Sequence, residues 1–160
     1  MKLVILESPF AGAVDANLSY GRRCMRDCLE RGEAPFASHL LYTQPGVLDD
    51  TKPVERKLGI EAGLLWGTMA DATVVYIDRG VSRGMVQGIC AAFAMREIHF
   101  RTILLPIELQ AGLDVFTKTV MGEMDRLLTD VGLTAAMPAF KAAMEGMAHE
   151  INQRVGRRET

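Results

Sequence analysis

The chain has few cysteines, no surplus of charge of either sign and no long apolar run, and each shortage removes a class of protein. Three cysteines in 160 residues, with Cys24 and Cys28 four apart and Cys90 distant, give neither an even set for a disulfide framework nor a zinc-ligand spacing beside histidines. They read as buried, reduced thiols of a cytoplasmic protein, and no metal or other cofactor is expected. Lys and Arg total 18 against 20 Asp and Glu, a formal net charge of −2. That balance offers no general attraction to nucleic-acid backbones or anionic membranes. No apolar span approaches the roughly 18 residues of a membrane helix, and the opening run Leu3-Val4-Ile5-Leu6 meets Glu7 too early for a signal-peptide core. A GxSxG nucleophile elbow is also missing, and no internal repeat or low-complexity tract stands out.

What is present is an alternation of apolar runs and helical stretches. At this length one domain buries roughly two thirds of its unfolded surface without staples. Lys2 to Leu6 reads as a buried strand running into the loop Glu7-Ser8-Pro9-Phe10-Ala11-Gly12. Asp15 or Asn17 can then cap a helix to about Arg31, with Leu18, Cys24, Met25 and Cys28 on its apolar face and Gly32 as its stop. Ala34 to Tyr42 reads as a short strand following Pro35, with Ser38-His39 within it or at its end. A polar, Pro-Gly-containing loop, Thr43 to Asp50, has the composition of a flap over a pocket.

A helix is expected from Lys52 or Pro53 to about Met69, with Leu58, Ala62, Leu65 and Met69 on one stripe. Thr73 to Asp78 is the central strand, Ile89 to Arg96 is helical, and Ile98 to Leu105 is a fourth strand ending at Pro106. This order predicts an α/β fold with a mostly parallel, three-layer sheet. Two further helices are expected from Leu113 to Val131 and from Thr134 to Val155. Their methionines suit core packing or contact between copies, so a homo-oligomer is expected. The basic tail of Arg154, Arg157 and Arg158 reads as a solvated helix end.

The most informative segment is Ser82-Arg83-Gly84-Met85-Val86-Gln87-Gly88, a Ser/Gly turn between the central strand and a helix. The first NH groups of a helix have no intrahelical partner, so an anion there gains hydrogen bonds and a favourable dipole end. Ser82, Gly84 and Met85 are therefore candidates to hold a phosphate or carboxylate, with Arg83 pairing with the same anion or pointing to water. The loop after the first strand has the same placement, and ligands of open parallel sheets bind where such loops meet. Both loops are equally compatible with plain βα connections.

Around them lie groups able to carry chemistry. Glu7 ends the first strand, Asp78 ends the central one and Ser38-His39 ends the second. Two acids and an imidazole suit glycosidic-bond chemistry, one carboxylate at a cationic sugar carbon and a second group protonating the leaving base. His39 is equally a structural histidine. Glu55, Arg56 and Glu61 sit on a helix, where charges are usually solvated, yet one faces the crevice if the helix starts at its rim. Tyr42 is placed to stack on a base.

Ser8-Pro9-Phe10-Ala11-Gly12, Ser38-His39, Asp71 and Ser82-x-Gly84-Met85, in that order over about residues 1 to 105, resemble the nucleoside 2-deoxyribosyltransferase superfamily, in particular its small phage and bacterial members. The resemblance implies a flavodoxin-like domain over residues 1–106, with 107–160 as a C-terminal helical extension, in the cytoplasm of a bacterium or a phage-infected host. It implies a nucleotide or nucleoside ligand, with Ser82 matching a phosphate-binding serine. It also implies a nucleophilic glutamate four residues after Gly84, where this chain has Gly88. Catalysis would then fall to another acid, with Glu7 first, Asp78 second and Glu61 third.

The expectation is an N-glycosidic-bond hydrolase or deoxyribosyltransferase: Glu7, Asp78 and His39 catalytic, and Ser8, Pro9, Phe10, Ser38, Tyr42, Glu61, Ser82, Arg83, Gly84 and Met85 binding substrate. Gly88 keeps open a noncatalytic protein that senses or sequesters a nucleotide. A third reading is a structural or regulatory module acting through the C-terminal helices.

Overall fold

The computed structural model describes residues 1–93 and 95–103 and, beyond them, residues 121–122, 125–126, 128–130, 132, 134–138, 141–142, 145–146 and 149. Four strands, β1 (Lys2–Glu7), β2 (Glu33–Phe36), β3 (Ala72–Tyr76) and β4 (Glu97–Arg101), form one sheet in the order β2-β1-β3-β4. All pairings are parallel, with Val4 opposite Ala72 and Tyr76 opposite Arg101. Asp71 clamps the start of β3 to β1, its NH donating to the Leu3 carbonyl and its carboxylate accepting from the Leu3 NH, both at 2.8 Å.

Side chains alternate across a strand, and the two sets enter separate cores. Val4, Leu6, Ala72, Val74 and Tyr76 pack against Tyr20, Cys24 and Cys28 of α1 (Val14–Glu30). Val75, Ile77 and Phe100 pack on the other face against Met85, Val86 and Ile89 of α4 (Arg83–Phe93). Helices on both faces of a parallel sheet make a three-layer, flavodoxin-like α/β fold, as the alternation of elements predicts. The thiols of Cys24 and Cys28 are free and buried, and burial pushes Cys24 up to about 12.

Several boundaries differ from the sequence expectation. Neither Asp15 nor Asn17 caps α1: Ala13 stands at that position with no side-chain cap. Asn17 lies in the first turn, its amide donating to the carbonyls of Phe10 and Ala11 at 3.0 and 2.9 Å, which fastens the preceding loop. Gly32 ends the helix region at φ +76°, a conformation L side chains resist. The second strand does not reach Tyr42. It stops at Phe36, and Ser38–Leu41 forms a one-turn helix, α2. β2 is an edge strand with β1 as its one neighbour, which is why Pro35 is tolerated inside it. Ser38 then meets Gly63 of α3 (Pro53–Gly67), so closely that a Cβ on Gly63 would lie 2.8 Å from the Ser38 hydroxyl.

That contact explains a second difference. The stripe Leu58, Leu65 and Met69 is not the packed face of α3: these residues, with Val54, are 55 to 81% exposed. The inward side carries Gly59 and Gly63, whose missing side chains admit Leu48 and Ser38, and Gly67, which admits Arg96. Close approach, rather than apolarity, orients the helix.

α4 starts at Arg83, six residues before the expected Ile89, directly after Ser82. β4 ends at Arg101, short of Leu105, because the Ile103 NH turns to the Asp78 carboxylate at 2.9 Å instead of continuing the ladder. Under α1, Tyr76 donates to Asp27 at 2.6 Å, and Arg101 makes two bonds of 2.7 Å to Glu33. Of the C-terminal apolar residues, Leu128 is fully buried among Val75, Ile89 and Phe100, with Met121 and Met137 packed alongside. The described residues of the two expected helices are helical at 121–122, 125–126, 128–130, 137–138, 141–142, 145–146 and 149, with a 3-10 turn at Thr134–Ala136, while Val115, Met124, Leu127, Phe140, Met144, Met147, Ile151 and the three tail arginines lie outside the described residues.

Candidate functional site

The chain leaves β1 for β2 on one side and returns to β3 on the other. Loops after β1 and β3 therefore diverge and open a crevice at the carboxyl ends of the strands, as expected for such a sheet. A cavity of about 210 Å³ occupies this position. Its walls come from the β1 loop, α2, the 42–50 loop, the inward side of α3 and the first turns of α4.

Alternation along β1 sends Ile5 and Glu7 toward the α4 side, and Glu7 lines the cavity. Its carboxyl lies against Gly88, in the space where a side chain at that position would begin: a Cβ there would be 2.5 Å from Glu7 Cδ and closer still to Oε1. Among the described residues the Glu7 carboxyl has no hydrogen bond. Burial pushes it up to about 8, and the nearby Arg96 guanidinium opposes this. Arg96 is itself fixed by bonds to Thr73 Oγ1 at 2.8 Å and the Gly67 carbonyl at 2.9 Å. Glu7 is thus largely protonated at neutral pH, and loses its proton readily only where a positive charge develops nearby.

Beside it, Ser8 Oγ and His39 Nε2 are 2.7 Å apart. Burial holds His39 down at about 4, so the imidazole is neutral and serves as a hydrogen-bonding group rather than as a cationic acid. Thr43 Oγ1 donates to the His39 carbonyl at 2.6 Å, tying α2 to the loop that follows.

One helical turn from Gly88 stands the start of α4. Ser82 Oγ accepts from the Met85 NH at 3.3 Å, capping the helix, and the Met85 side chain is buried beneath it. Arg56, from the first turn of α3, reaches across so that its Nη2 would be 3.3 Å from a Cβ on Gly84. The same guanidinium is ion-paired with Asp50. A cation over a helix N-terminus is an arrangement that attracts an anion, and here a carboxylate of the 42–50 loop already occupies the cation.

The cavity gathers Glu7, Ser8, Phe10, Ser38, His39, Tyr42, Ser82, Arg83, Gly84 and Met85, as expected from sequence. Three expected residues are elsewhere. Asp78 is built into the frame, accepting from the Tyr20 hydroxyl at 2.5 Å and the Ile103 NH, and does not line the cavity. Glu61 lies on the outer side of α3, 3.6 Å from Lys57. Pro9 lines a second depression with Asn17 and Arg79 on the other side of Ser82. Of the α3 charges Glu55, Arg56 and Glu61, the first two line the cavity, and Asp50, Gln87 and Arg96, not expected as site residues, also contribute to the walls. The signal for Arg56 was its place three residues after Pro53, in the turn that reaches the rim.

Among the described residues no group of three or more His, Cys, Asp or Glu is arranged to hold a metal ion, and no helix is long and apolar enough to cross a membrane. Fold and cavity define a flavodoxin-like α/β protein with a cleft at its topological switch point. The chain belongs to the DUF7768 family, a domain of unknown function whose family model matches residues 2–103. No curated protein and no solved structure matches it.

Proposed function

We propose that this cleft binds a nucleoside monophosphate or a related phosphorylated sugar and acts on its N-glycosidic bond, as a hydrolase or a deoxyribosyltransferase. The observation that carries the reading is the pairing, in one cavity, of a desolvated carboxyl without a hydrogen-bond partner, Glu7, with a cation-topped helix N-terminus, Arg56 over Gly84. Gly84 and Gly88, which these two groups adjoin, stand one turn of α4 apart, about 6 Å, a span that suits an anion and a sugar carbon within one ligand.

In this scheme the phosphate meets the free NH groups of the first turn of α4 and the Arg56 guanidinium, displacing Asp50. Tyr42 and Phe10 flank the base. The Glu7 carboxylate then faces the anomeric carbon. As the carbon–nitrogen bond breaks, its electron pair leaves with the base, which takes a proton from solvent, and positive charge develops on the sugar until water in the hydrolase, or an acceptor base in the transferase, forms the new bond to the anomeric carbon and gives up its own proton. A carboxylate poorly solvated in the free protein gains most from that charge, so its interaction is stronger in the transition state than in the ground state. His39, neutral and held by Ser8, orients the ligand by hydrogen bonding. The similarity of the Ser82-x-Gly84-Met85 and Ser8-to-Gly12 segments to the nucleoside 2-deoxyribosyltransferases supports the same reading. A cytoplasmic location, in a bacterial or phage-infected cell, goes with such a substrate. The exposed face of Val54, Leu58, Leu65 and Met69 supports a homo-oligomer.

One observation favours a second reading, a noncatalytic protein that senses or sequesters the nucleotide. With Asp78 engaged in the frame, Glu7 is the one carboxyl of the expected acid pair that meets the ligand, and it is mostly protonated at rest. Incubation of the purified protein with a panel of nucleosides and nucleoside monophosphates separates the two, with free base followed by chromatography and binding by thermal shift. Base release that disappears in Glu7→Gln supports the enzyme. Thermal shift with no base release supports the sensor, and neither signal with any member of the panel rejects both.

A further inference from the structure

In the cleft the Glu7 carboxyl, at the end of β1, occupies the space beside Gly88 in the second turn of α4. The space that a side chain on residue 88 would enter is filled by Glu7 Cδ and both carboxyl oxygens, the farther oxygen 3.2 Å from the position of a Cβ. At these distances the Glu7 carboxyl must shift before residue 88 can carry even a methyl group. Gly88 has no positive-φ conformation that would require glycine, and it lies inside an α-helix, where glycine costs about 0.5–1 kcal/mol relative to alanine. Neither backbone conformation nor helix propensity accounts for glycine here. The neighbouring carboxyl does.

We infer that Gly88 is the positioning residue of this site: its missing side chain makes the berth in which the β1 carboxyl sits. The berth is lined by helix backbone on one side and lies within reach of the charge of Arg96 on another. A carboxyl pushed out of it moves toward the open part of the cleft, where water solvates it. Position 88 therefore sets where the acid sits and how readily it ionises. The inference deepens the reading of Glu7 as the working carboxyl, and its tests are chosen to stand apart from turnover.

The experiment is a cycle of Gly88→Ala, Glu7→Ala and the double variant, each followed by thermal unfolding at pH 6, joined to a carbon-13 titration of the Glu7 carboxyl in the wild-type protein and in Gly88→Ala. Overpacking should lower the melting temperature of Gly88→Ala by about 3–10 °C. In the Glu7→Ala background the same methyl meets open space and should cost nothing or raise the melting temperature slightly, since alanine suits a helix better. The Glu7 titration midpoint, near 8 in the wild type, should fall by at least one pH unit in Gly88→Ala. Equal losses in both backgrounds would overturn the inference, as would a Glu7 midpoint unmoved by the methyl group. If Gly88→Ala alone fails to fold while the double variant folds, the coupling is established in its strongest form. If neither folds, position 88 is intolerant for a reason other than Glu7 and the inference falls. Absence of base release from the wild-type protein would count against the proposed function and leave these outcomes unchanged.

Discussion

Ser8 and His39 meet through their side chains at 2.7 Å, joining the loop after β1 to the one-turn helix after β2. The imidazole is buried and stays neutral down to about pH 4. As pH falls through 6.5 the unfolded chain takes up a proton that the folded protein refuses until about pH 4. Stability therefore drops across this interval. Replacing the ring by His39→Gln should flatten the dependence of melting temperature on pH between 6.5 and 4, which a series of thermal melts measures directly.

Glu7 has the opposite profile. Its folded value lies above the unfolded one, so the folded protein holds the proton more tightly, and stability declines as pH rises from about 4.5 through 8. Glu7→Gln removes the ionisable group while keeping its shape. The variant should be more stable than the wild type at pH 8, by on the order of 4 kcal/mol, and indistinguishable from it near pH 4. If Glu7 acts as an ionised group in turnover, base release rises with pH and levels off above about 8 before the substitution abolishes it.

Asp50 competes with any anion for Arg56. Asp50→Asn should tighten the binding of a nucleoside monophosphate and of inorganic phosphate by about threefold to tenfold, and Arg56→Ala should weaken it by about tenfold or more. Titration calorimetry at two salt concentrations reads both, and the nucleoside lacking a phosphate should respond to neither change.

The Glu33–Arg101 pair spans the sheet beneath α1, its side chains about nine-tenths buried. Arg101 holds the Glu33 carboxyl below its ordinary range. Glu33→Ala leaves a buried guanidinium without its two bonds and should cost about 3–5 kcal/mol in urea unfolding, whereas a surface pair such as Arg26–Glu30 should cost less than about 1 kcal/mol.

Leu128 lies outside the span of the family match yet is fully buried against β3, α4 and β4. Leu128→Ala should destabilise the whole protein by about 2–5 kcal/mol, and a chain cut after Pro106 should unfold at a lower temperature than the full chain. An unchanged melting temperature in both would mean that this face needs no cover.

How far the sequence could be read depended on the kind of signal each residue carries. The parallel order of strands followed from apolar runs alternating with helical periodicity, and ten cavity residues followed from their place at strand ends. Apolar periodicity misled at α3. There Leu58, Leu65 and Met69 form the more conspicuous pattern, but Gly59, Gly63 and Gly67 determine the buried side, because contact distance is set by what is missing. Asp78 illustrates a different limit. A carboxylate at a strand end reads the same whether it meets a ligand or, as here, a tyrosine hydroxyl and a backbone NH from distant segments. Ser38-His39, expected within the second strand or at its end, forms a helical turn instead and still lines the cavity, because the end of β2 and the turn after it lie at the same edge of the sheet.

Both faces of the sheet carry an apolar core, and the α1 face adds a polar network to its own. Hydrogen bonds among Tyr76, Asp27, Arg101 and Glu33 fix angles as well as distances there. Glu33 belongs to β2 and Arg101 to β4, the two outermost strands, so their pairing joins the margins of the sheet directly. The spread of the four strands is thereby set from margin to margin and not by the backbone ladders alone.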